Sequence, residues 1–200
     1  MSRKCVDIGY YGGSFDMPTV GHTQMAENFL KSGEIGRLIV SPAGPHAHGK
    51  KYSVSNEHRI AMAEIMTADL QTRCGKDRVL LSLSEIESTQ VSFTYKALQE
   101  LGEKYAGAQI AALIGQDCLG NFHLWNDYQA ILRDYLVLVH PRIESSGQLL
   151  PGMKMIEAPT VNGASGVVKE RIAKGESIDG WLLPEIHDYI STNHLYGIKQ

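Results

Sequence analysis

Apolar positions in this chain recur with two different rhythms. Short apolar runs at residues 6–11, 35–40, 79–83, 110–114 and 136–139 have the length of buried strands. Between them, apolar residues return every three or four positions. Met25, Phe29 and Leu30 do so within 21–32, Met62, Ile65 and Met66 within 56–70, and Ala97, Leu98 and Leu101 within 94–105. That spacing puts each set on one face of a helix. Thr94 is placed to cap the third of these helices. Two further helices are predicted over 167–174, stopped by Gly175, and over 184–191, with Pro184 near the first turn. Strand–helix alternation of this kind predicts an α/β fold, a parallel sheet with helices on both faces. Residues 1–200 read as a single domain, with 160–200 as a small helical C-terminal segment. The loops over 42–55 and 141–153 are long.

Composition narrows the function classes. The 200 residues are 43% hydrophobic and 20% charged, in keeping with one domain that buries a sizeable core. A net charge of -3 argues against a general nucleic-acid binder or a binder of anionic membranes. A local phosphate pocket needs only a few cations and is compatible with that balance. Cys5, Cys74 and Cys118 lie far apart and form no Cys-x-x-Cys pair, which argues against a zinc or redox motif. The expected compartment is reducing, hence cytoplasmic. No run approaches the ~18 apolar residues of a membrane span. Self-association is left open.

The sharpest signal is Gly12-Gly13-Ser14-Phe15-Asp16-Met17-Pro18-Thr19-Val20-Gly21-His22, between the first strand and the first helix. Ligands of open α/β sheets bind beyond the carboxyl ends of strands. Glycines let backbone N–H groups approach an anion, and a helix start aims more N–H groups and its positive dipole end at the same place. Thr19 and His22, three positions apart, can face one phosphate. A tight turn with a packing histidine is the plainer alternative, and the whole string at this location favours the anion site.

This string resembles the phosphate-binding signature of the nucleotidylyltransferase superfamily, which implies a doubly wound, Rossmann-like fold. Gly12, Gly13, Phe15, Asp16, Thr19, Gly21 and His22 match it; the usual proline is Met17, and a proline stands instead at 18. The resemblance implies that His22 contacts the ATP phosphates and stabilises the transition state, with Thr19 beside it. Gly12, Gly13, Ser14, Phe15 and Gly21 then line the ATP loop, and Asp16 faces the acceptor.

A second string, from Ile114-Gly115-Gln116-Asp117 to Phe122 and Trp125, is similar to a segment of the bacterial nicotinate mononucleotide adenylyltransferases. The resemblance implies that Gly115 and Asp117 lie near ATP and that Trp125 stacks on the pyridine ring. Aromatic stacking suits an electron-poor planar ring. Val91-Ser92-Phe93-Thr94 resembles the family's Ser-x-Thr segment, which implies that Thr94 helps to hold the mononucleotide. Residues 42–51 occupy the place of a His-Lys loop, so His46, His48 and Lys50 are candidate phosphate contacts. A His46–His48 metal pair lacks a third ligand of fitting spacing.

Residues 163–171 depart most from the family. Its Ser-Ser/Ala-Thr-x-Ile-Arg helix start becomes Ala164-Ser165-Gly166-Val167-Val168-Lys169, which leaves Ser165 and Lys169 as the expected ATP contacts. Lysine keeps the charge and loses the two-pronged donor.

Together these resemblances imply an adenylyltransferase that moves AMP from ATP to nicotinate mononucleotide and releases pyrophosphate. Mg²⁺ is expected to arrive with ATP, with no metal site of the protein's own. The partners implied are ATP and a pyridine mononucleotide. The same chemistry on nicotinamide mononucleotide or phosphopantetheine, and a non-catalytic adenine-nucleotide-binding regulator, are the alternatives.

Overall fold

The computed structural model describes residues 5–45, 51–143, 145 and 147–198. Its centre is one six-stranded, all-parallel sheet in the order β3-β2-β1-β4-β5-β6. The strands are β1 Val6–Gly13, β2 Ile35–Pro42, β3 Val79–Leu81, β4 Ile110–Gly115, β5 Leu136–His140 and β6 Met153–Met155. The helices are α1 Val20–Lys31, α2 Asn56–Cys74, α3 Thr94–Lys104, α4 Tyr128–Asp134, α5 Ser165–Lys174 and α6 Pro184–Thr192. The chain runs outward from β1 to β3, then crosses back so that β4 pairs with β1. Such a reversal leaves a crevice at the carboxyl ends of β1 and β4.

Alternation along the strands divides the core into two layers. Leu38 and Val40 of β2, Ala111 and Leu113 of β4, and Leu138 of β5 face α1, α2, α5 and α6. Ile39, Ala112, Ile114, Val137 and Val139 point the other way, onto α3 and α4. Central strands buried on both faces are the expected outcome of parallel pairing.

Two elements were not anticipated. The 7 residues of α4 and the 3 of β6 are too short to develop a period. A run of 3-10 turns also spans Gln116–Leu124, where the second motif lies. One expectation is corrected: Phe93 takes the cap position of α3 with no side-chain bond, so Thr94 is the first helical residue and does not cap. No helix among the described residues is long and apolar enough to cross a membrane.

Candidate active site

The chain leaves β1 at Gly13 and enters α1 at Val20 through a sharply bent loop. Phe15 and Met17 both take left-handed backbone angles, φ 39° and 80°, and both side chains are fully buried. Residues without glycine's freedom hold such angles only where their surroundings fix them. A proline at 17 could not reach that angle, so the Met17-Pro18 order gives this loop its own path.

The loop delivers Thr19 and His22 to the first turn of α1. The Thr19 backbone N–H donates to His22 Nδ1 at 3.1 Å, and Thr19 Oγ1 lies 2.7 Å from the same nitrogen. The hydroxyl also bonds the Gly163 carbonyl. Because Nδ1 accepts the amide hydrogen, the neutral ring carries its proton on Nε2, a donor directed away from the turn. Burial, and then the neighbouring Arg142 guanidinium, push the His22 pKa down to about 4. Phe15 packs edge-on against the imidazole at 5.8 Å between centroids.

Gly21 lies against the loop that precedes α5. A Cβ there would stand 2.4 Å from the Asn162 carbonyl oxygen. A cavity of about 250 Å³ opens beside this contact, lined by Val20, Gly21, Gln24, Asn162, Gly163, Gly180 and Trp181. Ala164 occupies the cap of α5 and has no side-chain acceptor for the helix start, so the Ser165 end of the helix lacks a side-chain cap.

Across the crevice, Gly115 ends β4 in close quarters. A Cβ there would meet Asp117 Oδ1 at 2.3 Å and Arg142 Cδ at 3.0 Å. Arg142 follows β5, and its side chain is only 12% exposed. Its guanidinium makes long contacts to Asp117 Oδ2, 3.5 Å, and Met25 Sδ, 3.7 Å. A confined cation with donors to spare therefore stands near His22. Trp125, half-buried after the 3-10 run, packs on Phe122 with ring centroids 5.0 Å apart. The adjacent Cys118 thiol is pushed up to about 11 by burial and then by Asp117, so it is no ready nucleophile.

Asp16 and Lys169, expected on the acceptor and on ATP, bond one another. Lys169 Nζ lies 2.8 Å from Asp16 Oδ2. The same oxygen accepts the Ser53 amide at 2.8 Å, and Oδ1 accepts the Tyr196 hydroxyl at 3.1 Å. Burial works to raise the Asp16 pKa, and the bonds from Lys169 and Ser53 outweigh it, so the carboxyl titrates below its usual range. Arg59 is fully buried beneath the loop. It donates to the carbonyls of Ser14 and Ala43 and lies 3.6 Å over the Tyr52 ring.

Thus the first-motif residues, Gly115, Asp117 and the start of α5 surround one crevice, while Thr94 and Trp125 lie on the other face of the sheet's end. His46, His48 and Lys50 lie outside the described residues. Arg142, Arg59, Ser53 and Tyr196 were missed. Arg142 had a usable signal, a cation two residues beyond a strand's carboxyl end; the other three had none. Among the described residues, no group of three or more His, Cys, Asp or Glu could hold a metal ion.

Residues 10–192 match the cytidylyltransferase-like family. A probable nicotinate-nucleotide adenylyltransferase of Prosthecochloris aestuarii is 30% identical, with 94% of this chain and 97% of the relative covered. Another so described, from Flavobacterium johnsoniae, is 27% identical over 94% and 98% of the two chains. Among solved structures, nicotinic acid mononucleotide adenylyltransferase of Plasmodium falciparum, complexed with NaAD, superposes with a TM-score of 0.83. It covers 97% of this chain and 98% of its own at 19% identity, a likeness of fold.

Proposed function

Because the chain belongs to the cytidylyltransferase-like family and, within it, to the nicotinate-nucleotide adenylyltransferases, we propose that it transfers AMP from ATP to nicotinate mononucleotide. The observation that carries this is the Thr19–His22 pair at the first turn of α1, at the carboxyl end of the central strand β1.

An oxygen of the mononucleotide's 5′-phosphate attacks the α-phosphorus of ATP. The bond from that phosphorus to the bridging oxygen breaks, and pyrophosphate leaves with the electron pair. The attacking phosphate is ionised near neutral pH, so no strong base is required. The protein's task is alignment and stabilisation of charge. His22 Nε2–H is the donor to the phosphates, and Thr19 fixes its tautomer. The loop from Gly12 to Phe15, Gly21, Gly115 with Asp117, and the open start of α5 at Ser165 form the ATP side. Arg142 supplies a cation there. Trp125 and Thr94 form the acceptor side, and residues 160–200 serve the nucleotide site as part of the same unit.

Nucleotidyltransferases of this kind generally use a divalent metal with ATP. Mg²⁺ would be held by phosphate oxygens and water, which suits a crevice whose described residues include no three-ligand cluster. Bound there, it would draw charge from the phosphates.

Pyrophosphate release from Mg·ATP with nicotinate mononucleotide, nicotinamide mononucleotide and phosphopantetheine tests the assignment. The highest kcat/KM is expected with the nicotinate form. No release with it, or faster release with another acceptor, overturns the proposal.

A further inference from the structure

Two departures of this chain from its family's pattern meet in space. One is Met17-Pro18 in the first loop; the other is Lys169 in the α5 start. They meet through Asp16, which precedes Met17 and bonds Lys169. We infer that Lys169 is a positioning residue that, with Tyr196, clamps Asp16 and thereby the Phe15–Met17 turn, while the charge of the nucleotide falls to Arg142. This rests on the adenylyltransferase reading for the identity of the nucleotide.

The ammonium has three hydrogens, and three partners surround it. Asp16 Oδ2 and Ser53 Oγ are each 2.8 Å away, and the Tyr196 ring face is 5.4 Å away. To reach a phosphate it would have to leave a charge-assisted bond, one of the stronger bonds a surface lysine can make. Arg142 is held less tightly: among the described residues, its guanidinium's polar side-chain contacts are the two long ones to Asp117 and Met25.

Asp16 is 7% exposed and receives donors from three distant segments, Ser53 before α2, Lys169 in α5 and Tyr196 in the tail. The Tyr196 hydroxyl is kept protonated by burial and by Asp16, so it is a donor throughout the working range. On either side of Asp16 stand the two left-handed residues, Phe15 and Met17. Each such angle carries strain that the surroundings must hold in place. A carboxylate bonded on both oxygens between two strained residues is placed to do that. A point-charge amine also fits the tripod of carboxylate, hydroxyl and ring better than a planar fork.

The test is calorimetric titration of ATP, without acceptor, into wild type, Lys169→Met, Tyr196→Phe and Arg142→Gln. It is combined with melting temperatures and the pH profile of kcat/KM for the acceptor. Lys169→Met and Tyr196→Phe should leave the ATP Kd within about threefold and lower the melting temperature. They should also move the acid limb of the profile to higher pH, because Asp16 loses a donor. Arg142→Gln should weaken ATP roughly tenfold or more, as loss of a charged hydrogen bond does. A tenfold rise in Kd for Lys169→Met, whatever its melting temperature, would overturn the inference. So would wild-type melting and an unmoved pH profile. Should wild type bind no ATP, the adenylyltransferase reading fails by itself. The clamp is then decided by the melting cycle of Asp16→Asn with Lys169→Met, where additive losses would refute it.

Discussion

The Thr19 amide hydrogen points at His22 Nδ1 across 3.1 Å, so the cap residue of α1 also orients the imidazole three positions later. This local bond decides which nitrogen carries the proton. It leaves Nε2–H as the donor of the neutral ring, and the lowered pKa keeps that ring neutral near pH 7.

His22→Ala is therefore expected to reduce kcat by on the order of 10²–10³, the effect of losing one aligned donor to a developing negative charge. Pyrophosphate release under saturating substrates measures it, with circular dichroism to verify the fold. Near-normal turnover would remove His22 from the chemistry.

The same burial predicts a pH effect on stability. The folded ring titrates near 4 rather than at its usual 6.5. Between those values the unfolded chain binds the extra proton, so stability falls as pH drops through that window. Buried His140, whose pKa is also lowered, by burial first, adds to the slope. Melting temperature measured against pH should show the decline, and His22→Gln should flatten part of it. An identical slope in the variant would contradict the assignment.

Gly21→Ala sets a methyl group 2.4 Å from the Asn162 carbonyl, a backbone atom that cannot swing aside. The loop before α5 must then shift away from the first turn of α1. Misplacement of about 1 Å in such a site is expected to lower kcat/KM for ATP on the order of 100-fold. Steady-state kinetics at varied ATP would show it, and a wild-type value would mean that the loop does not shape the site.

Arg59→Met removes a buried cation that ties Ser14 to Ala43. Two carbonyls lose their donor, and the expected loss of stability is about 1–3 kcal/mol for each acceptor left unpaired. Urea unfolding measures this. A loss under 1 kcal/mol, roughly that of a surface change, would show that the guanidinium holds neither loop.

Trp125→Ala should raise the acceptor KM by roughly tenfold, the upper range of one aromatic contact, while leaving kcat nearly unchanged. An unchanged KM for nicotinate mononucleotide would refute the stacking role.

The parts legible in the chain were those built from neighbours. Apolar runs, helical spacing and the glycine and proline at helix ends identified five of the six strands and five of the six helices among the described residues, because each signal lies within a few positions. The Thr19–His22 geometry was equally local. β6 and α4 escaped because 3 and 7 residues carry too little pattern, and their burial depends on β5 and the layer beneath.

Local pattern was enough for a parallel α/β fold, and for a glycine-ended first strand followed by a helix with His22 in its first turn. Tertiary structure alone decided what each charge pairs with. Lys169 lies 153 residues from Asp16, and Tyr196 lies 180. Nothing in local spacing distinguishes a lysine that grips a phosphate from one that grips a carboxylate. Electrostatic partners are chosen by which segments the packed sheet brings within a few ångströms, and that choice is made only when α5 and the tail close over the loop.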